Sequence, residues 1–264
     1  MIFKHLYAVL TAVAFLLACP QRALAADPRT TAAGSFSAVQ VAGALPVELR
    51  QVPDSAGIVI ISASERALPF VKVSNTDGTL CIHFDGHGRD LPLASEVRAI
   101  RAYYGHDMRQ LLLTGSCRVA AAGMHTSDDL TVVVTGGGSL TLDRIDCRNF
   151  TVSLTGSGHI GLNGLRTRNA GTSVAGSGSL SAAGIDATAF NCTISGSGSA
   201  SVEGHVADAS LALRGSGQLN ASSLMAGALD ISVTGSGTVS YNRVAKEVKI
   251  ISGHDNGGTV TYRQ

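Results

Sequence analysis

Apolar and polar residues alternate along most of the second half of the chain. In Phe150–Leu154 every second residue is apolar, and threonine and serine stand between them. The same pattern returns in Phe190–Ile194 and in Leu229–Val233. A period of two with small or β-branched polar partners is typical of a strand that buries one face. The pattern therefore predicts a series of short, half-buried β-strands.

A Gly-Ser-Gly motif follows each of these strands at a nearly constant interval. Its first glycines lie 21, 20, 20, 20, 19 and 20 residues apart, counting two variants of the motif at the start. Glycine at these positions suits tight corners, because it reaches positive φ without steric cost. The predicted corner glycines are Gly115, Gly136, Gly156, Gly158, Gly176, Gly178, Gly196, Gly198, Gly215, Gly217, Gly235 and Gly237.

Self-similarity at this period indicates stacked units that bury a common core. A second short alternation follows each motif, as at Ile160 and Leu162, and a third inward position follows at Leu165, so each repeat predicts three short strands. These strands cannot close a sheet within one coil, but they can pair with the equivalent strands of neighbouring coils. We therefore predict an all-β protein whose main part, residues 111–264, is a single-stranded, right-handed parallel β-helix. Each coil takes about 20 residues, and the glycine motifs form its corners.

Residues 34–110 lack the glycine repeat and contain successive strand-like runs with turn signals such as Asp77-Gly78. We predict a strand-rich segment that forms one continuous domain with the β-helix. An open end of a β-helix exposes unpaired strand edges, which invite aggregation unless they are covered. This segment is therefore expected to cap or extend one end of the stack.

The N-terminus resembles an export signal. A charged start, a short apolar run and an Ala-Leu-Ala ending predict a signal peptide over residues 1–25, followed by a short linker over residues 26–33. An alternative is a lipoprotein signal, since Leu16–Cys19 resembles the sequence that receives a lipid on Cys19. No later segment is long and apolar enough to predict a transmembrane helix. An exported protein can reside in the periplasm, at the cell surface or in the extracellular space, and the sequence does not distinguish these locations.

Composition narrows the partners. The chain has a formal net charge of +1, and its basic residues are scattered, which argues against nucleic acid as a partner.

Four cysteines remain after the predicted cleavage: Cys81, Cys117, Cys147 and Cys192. An even number permits disulfides in an oxidising compartment. Their positions within the repeat instead favour structural thiols, since Cys117 and Cys147 occupy different positions of adjacent coils.

No segment predicts a catalytic or cofactor site. Gly156–Gly161 matches the dinucleotide fingerprint, but that motif must open a helix, and no helical pattern follows. Asp143 and Glu203 share a coil position, yet they are three coils, or about 14 Å, apart, too far for a glycosidase pair. A further column, Asp146, Arg166 and Asp186, is predicted to be a surface charge ladder.

Two weaker candidates have ordinary explanations. The segment His83–Asp90 contains His83, Asp85, His87 and Asp90, but it lacks the spacing of a known metal site, so no metal is predicted. A polar strand face offers a hydroxyl array for a glycan or for ice, although serine and threonine are expected on any outward strand face. Its residues are Thr151, Ser153, Thr155, Thr193, Ser195, Ser232 and Thr234.

Several segments carry a resemblance to a known family. They are Phe36–Val39, Val47–Leu49, Asp77–Ile82 and Leu111–Ser116, followed by the Gly-Ser-Gly coils. On these segments the chain resembles the putative auto-transporter adhesin family with a head GIN domain. The resemblance implies a β-helical fold and a surface adhesin, and it brings no catalytic residues to transfer.

These observations predict a non-enzymatic, exported β-helical protein of the bacterial cell envelope that acts as an adhesion or interaction module. Its partner is an envelope or extracellular glycan or protein, and no cofactor is expected. The alternative is a periplasmic structural protein without an external ligand. A carbohydrate-active β-helix enzyme is the third possibility. Surface exposure separates the first two, and turnover of polysaccharides identifies the third.

Overall fold

The computed structural model describes residues 28–52, 57–86, 93–105, 107–242, 247–252 and 258–262. The predicted signal peptide and Cys19 lie outside these residues, as do His87 and Asp90. Hydrogen bonding joins the strands into one continuous sheet. The strands are β1 Arg29–Ala32, β2 Ala38–Gly43, β3 Pro46–Gln51, β4 Ile58–Ala63, β5 Val71–Thr76, β6 Thr79–Phe84, β7 Val97–Tyr104, β8 Gln110–Gly115, β9 Arg118–His125, β10 Leu130–Gly136, β11 Ser139–Asp146, β12 Asn149–Gly156, β13 His159–Gly176, β14 Ser179–Gly196, β15 Ser199–Gly215, β16 Gln218–Thr234, β17 Thr238–Tyr241, β18 Glu247–Ser252 and β19 Thr259–Tyr262.

Parallel pairing between successive coils confirms the predicted β-helical stack. The chain winds into a β-solenoid of about 7 turns with about 20 residues per turn. Residues one coil apart pair directly, as in the column Phe150, Ala170 and Phe190. The predicted division into three short strands is wrong for the central coils. There, β13 and β14 each run for 18 residues, because pairing continues through the bends.

Each coil has three sides. The first wall consists of β6, β2, β8, β10, β12, the second halves of β13–β16, and β18. The second wall consists of β7, β3, β9, β11, the first halves of β13–β16, β17 and β19. Between them lies a narrow charged side, formed by residues 144–148 and their equivalents in the other coils. Inward side chains from all three sides meet in one continuous core.

At the N-terminal end the order of the strands in space differs from their order in the chain. Strands β2 and β3 form a coil that lies between β6 and β7 on one side and β8 and β9 on the other. Beyond them, β4 and β5 pair antiparallel with β7 and β6. Strand β1 pairs with β4 and falls within residues 26–33, so this part of the predicted linker is a strand.

These antiparallel strands cover the end of the parallel stack and its apolar core. Val59 and Ile61 of β4 are fully buried against it. At the other end, Val248 and Ile250 of β18 occupy inward columns but remain 39% and 44% exposed. Among the described residues, the N-terminal end is therefore the better covered of the two, and such a cover protects parallel strand edges.

One inward column of the core alternates large and small side chains along the axis of the stack. Phe150, Ala170, Phe190 and Ala209 form one inward column on successive coils, and all are buried. Each ring therefore lies against an alanine rather than against another ring. Interiors are packed nearly as densely as organic crystals, so such alternation lets each ring use space that its small neighbours leave.

The four cysteines of the described residues are free thiols. Cys117, Cys147 and Cys192 are buried, whereas Cys81 is half-buried and lies near Gln40. Burial raises the pKa of Cys147 and of Cys192 to about 11 and also raises that of Cys117. A buried thiol with a raised pKa carries little thiolate at neutral pH and reacts slowly.

We expect this difference to appear in thiol titration. In a Cys19→Ser background, Ellman's reagent at pH 8 should modify Cys81 rapidly, because it is the accessible thiol. The other three should react only after unfolding in urea. Fewer than four titratable thiols in the unfolded protein, without prior reduction, would contradict this assignment.

Candidate functional site

The predicted corner glycines stack in columns on the coils. Gly156, Gly176 and Gly196 pair in register and have φ values of 121°, 109° and 116°. A Cβ atom on Gly196 would lie 2.6 Å from the carbonyl oxygen of Gly176. The second glycine of each motif is similarly crowded, and Gly178 would meet Leu154 at 2.6 Å. The motif thus shapes the corners of the coils.

The hydroxyl residues lie on the outer face of the first wall. Ser153, Ser173 and Thr193 follow one another on adjacent coils, and Thr155 and Ser195 flank Ala175 in the next column. The outer residues of β8, β10 and β12 carry no charge. Along the described strands this face is flat and regular.

The predicted charge ladder is present on the charged side and is longer than expected. Asp146, Arg166 and Asp186 pair in register, and His125 and His205 extend the column at either end. Arg166 Nε lies 3.5 Å from Asp186 Oδ2, whereas Asp146 Oδ2 pairs with His125 Nδ1 at 3.4 Å. All four side chains are more than half exposed, so each pair contributes at most about 1 kcal/mol.

Asp143 and Glu203 do not form a simple column. Asp143 pairs with Asn163 and Asn163 with Ala183, but the register then shifts between Ala182 and Ile185. A bulge of this kind places two residues of one strand against one of its partner. Glu203 falls in this irregular stretch and gains no carboxylate neighbour there.

A shallow groove on the second wall brings polar side chains together beside an apolar strip. Its volume is about 510 Å³, within the usual range of ligand sites. Its floor is β9, where Ala120 and Ala122 point outward. The flanking strands β3 and β11 carry longer side chains, so the floor lies one strand wide between two ridges. The ridges are about 10 Å apart, which is two strand spacings.

The ridge on β3 is an ion-paired cluster. Glu48 Oε1 accepts a hydrogen bond of 2.8 Å from Arg50 Nε, and Glu48 Oε2 accepts one of 3.0 Å from Arg101 Nε. Burial alone would raise the pKa of Glu48, but the two guanidinium groups outweigh it and hold that pKa below its ordinary value. The pairs therefore persist at neutral pH and weaken only as the pH falls through the lowered pKa.

The opposite ridge and one end of the groove are also held in place. Asp143 on β11 accepts a hydrogen bond of 2.6 Å from Asn163 Nδ2. Gln51 closes the end, since its side chain bonds to both the N–H and the carbonyl of His125. Arg50, Ala122 and Asp143 pair across three strands, so a cation and an anion face each other over a methyl floor.

This arrangement suits a polar ligand with an apolar face. The methyl groups accept apolar surface, and the fixed guanidinium and carboxylate offer donors and acceptors to hydroxyl groups. The repeat pattern did not reveal the groove, because β3 and β9 are far apart in the chain. One signal was available: Ala120 and Ala122 stand where the next coil has Thr141 and Asp143.

The described residues show no metal centre. Among them, no three histidine, cysteine, aspartate or glutamate side chains lie close enough together to hold an ion. His83 and Asp85 are exposed at the end of β6.

The described part of the chain contains no helix long and apolar enough to span a membrane.

Solved structures share this fold at low sequence identity. A putative adhesin from Parabacteroides merdae superposes with a TM-score of 0.75 and 17% identity, covering 92% of this chain and 98% of its own. A putative lipid binding protein from Parabacteroides distasonis gives 0.71 and 17%, with 90% and 96% covered. A putative adhesin from Bacteroides fragilis gives 0.58 and 14%, with 89% and 96% covered. At these identities the likeness concerns the fold.

A comparison with curated proteins finds no match. Family comparison is more informative, because two overlapping stretches, residues 35–203 and 165–263, match one family. Together they include the groove and every described strand except β1. The chain therefore belongs to the family described as putative auto-transporter adhesin, head GIN domain.

Proposed function

We propose that the protein is an exported, non-enzymatic adhesion module that binds a glycan or a protein of another surface through the groove on its second wall. The observation that carries this proposal is the groove itself, a site of about 510 Å³ with fixed polar ridges. The adhesin family and the adhesins among its structural neighbours support the same role. A glycan fits the site best, since a sugar ring presents both an apolar face and a rim of hydroxyl groups.

The chemistry of the groove argues against glycoside hydrolysis. That reaction needs one carboxyl group that stays protonated to act as an acid. Glu48 has a lowered pKa because two arginines hydrogen-bond to it, which is the opposite of what an acid catalyst requires. Asp143 lies on the other ridge in a different column, with Asn163 bound to its carboxylate. The carboxylates are thus arranged for binding.

Filling the groove tests this function. Ala122→Trp places a large ring over the floor, whereas Ala183→Trp adds the same ring to the same column of the second wall, several coils away. On an array of oligosaccharides and extracellular matrix proteins, we expect Ala122→Trp to weaken binding about tenfold or more, since it occupies the ligand's volume. Ala183→Trp should bind like the unmodified protein. Equal binding by both variants, or binding to nothing on the array, would contradict the proposal.

The alternative function is that of a periplasmic structural protein without an external ligand. The long regular stack and its covered N-terminal end are compatible with that role as well. The two differ in where the protein resides, because adhesion requires display outside the cell. Catalysis, the third possibility, requires turnover, which an assay on a polysaccharide panel detects directly.

A further inference from the structure

Four arginines occupy the charged side of two adjacent coils. Arg144 and Arg148 belong to one coil, and Arg166 and Arg168 to the next. Arg168 N donates a hydrogen bond of 3.0 Å to Arg148 O, so these two residues are direct neighbours across the coils. All four are exposed. We call this set the arginine corner.

The corner departs from the charge pattern around it. In the neighbouring column, opposite charges alternate from Asp146 through Arg166 to Asp186. In the next column, Arg148 and Arg168 follow each other on backbones that lie about 4.8 Å apart. Like charges directly opposite each other on paired strands are destabilising. Arg148 and Arg168 thus repel each other, whereas the neighbouring column of the same coils pairs a cation with an anion.

The acidic side chains nearest to Arg148 are hydrogen-bonded to other residues. Asp128 precedes Arg148 in its column, since Arg148 N donates to Asp128 O. The carboxylate of Asp128, however, accepts bonds of 2.9 and 2.7 Å from Arg109 Nε and Nη2. Asp129 accepts a bond of 2.8 Å from Asn149. Within the described residues, Arg148 and Arg168 therefore have no acidic partner.

Arg144 adds a second, independent departure. It has a φ of 55° in a column where its neighbours are Gly123 and Gly164, at 66° and 77°. The left-handed conformation is strained for any residue with a Cβ atom. Local strain of this kind persists where the surrounding structure enforces it, and it is concentrated at functional sites. Because Arg144 stands at a bend where the adjacent coils have glycine, it adds positive charge beside Arg148 and Arg168.

We propose that the arginine corner binds an acidic polysaccharide. An oxyanion group of the polymer lies between the guanidinium groups of Arg148 and Arg168, and relieves their repulsion by charge-assisted hydrogen bonds. A second anionic group along the polymer reaches Arg144 or Arg166. This inference does not rest on the groove, which lies on the second wall and has different chemistry.

The surroundings favour a sparsely charged polymer over a dense one. Asp128, Asp129, Asp146 and Asp186 border the corner and would repel a nucleic acid, whose charges follow one another every few ångströms. The formal net charge of +1 gives no broad attraction to an anionic membrane. A polysaccharide with spaced sulfate or carboxylate groups can place each anion on an arginine and its neutral portions beside the aspartates.

The test uses two polymers with spaced carboxylate groups, hyaluronate and partly methyl-esterified polygalacturonate, and neutral dextran as the uncharged control, each with the purified chain. Arg148→Gln/Arg168→Gln should weaken binding of at least one acidic polymer about tenfold or more, with a shallower dependence on salt. The charge-matched control, Arg118→Gln/Arg214→Gln, removes exposed arginines from other faces and should change binding little. Ala122→Trp should also retain binding, which separates this site from the groove. Neutral dextran should not bind.

Urea unfolding distinguishes a loss of polymer binding from a loss of folded protein. Without polymer, Arg148→Gln/Arg168→Gln and Arg144→Gly should unfold at the same or a higher urea concentration than the unmodified chain, because they remove repulsion and strain. Both should bind the acidic polymers less well. Equal loss of binding in the charge-matched control would overturn the proposal, since it would indicate general attraction. Equally tight, arginine-dependent binding to phosphatidylglycerol vesicles would overturn the assignment to a polysaccharide.

Discussion

Gly196→Ala is expected to destabilise the solenoid by about 2–5 kcal/mol. Two effects combine at this corner. The φ of 116° is strained for any residue with a Cβ atom, and that atom would lie 2.6 Å from the Gly176 carbonyl oxygen. Neither side can move easily, because both belong to the backbone of paired coils. Urea unfolding followed by circular dichroism measures the change as a lowered midpoint.

Two further glycines separate these effects. Gly43 has a φ of 103°, but a Cβ atom added there would have nothing within 4 Å, so Gly43→Ala tests the strain alone, at about 1–2 kcal/mol. Gly171 lies in a strand without a positive φ and has room for a methyl group, so Gly171→Ala should be neutral or slightly stabilising. Equal midpoints for all three variants would show that the corners do not limit the fold.

Phe190→Ala should destabilise the protein by about 3–5 kcal/mol. The ring is fully buried, and its neighbours in the column are Ala170 and Ala209. The substitution would therefore leave three consecutive alanines along the axis. Small neighbours cannot close such a cavity without moving the backbone, so the loss should lie at the upper end of the range. A urea titration gives the value.

The matched variant is Phe190→Leu, which keeps most of the apolar volume. It should lower stability by less than about 1.5 kcal/mol. If Phe190→Ala were as mild as Phe190→Leu, the alternation of rings and alanines would not be supporting the core. The coils would then have to be held together mainly by their backbone pairing.

The repeat part of the fold could be predicted from sequence because its signals are local. Alternation over Phe150–Leu154 identifies the inward face, and the glycine spacing defines the coil. Columns such as Phe150, Ala170 and Phe190 then follow from counting. His205 could not be placed in this way, since a bulge shifts the register and brings it opposite Asp186.

The N-terminal end could not be predicted to the same extent. Nothing in the local pattern indicates that β2 inserts between β6 and β8, because that order depends on pairing between distant segments. The groove depends on the same non-local pairing: Arg50 reaches Ala122 only once β3 lies beside β9. The arginine corner could be predicted by counting residues along the repeat. The hydrogen bond from Arg109 to Asp128, which leaves the arginines of the corner without that carboxylate, is visible only in the structure.

Protease shaving of intact cells tests the central claim, adhesion outside the cell, most directly. The cells would express the chain with a C-terminal tag, alongside a tagged periplasmic protein as control. We predict that protease removes the tag from the chain while the periplasmic control survives. Protection of the tag until the outer envelope is broken would contradict adhesion, and would place the protein with periplasmic structural components.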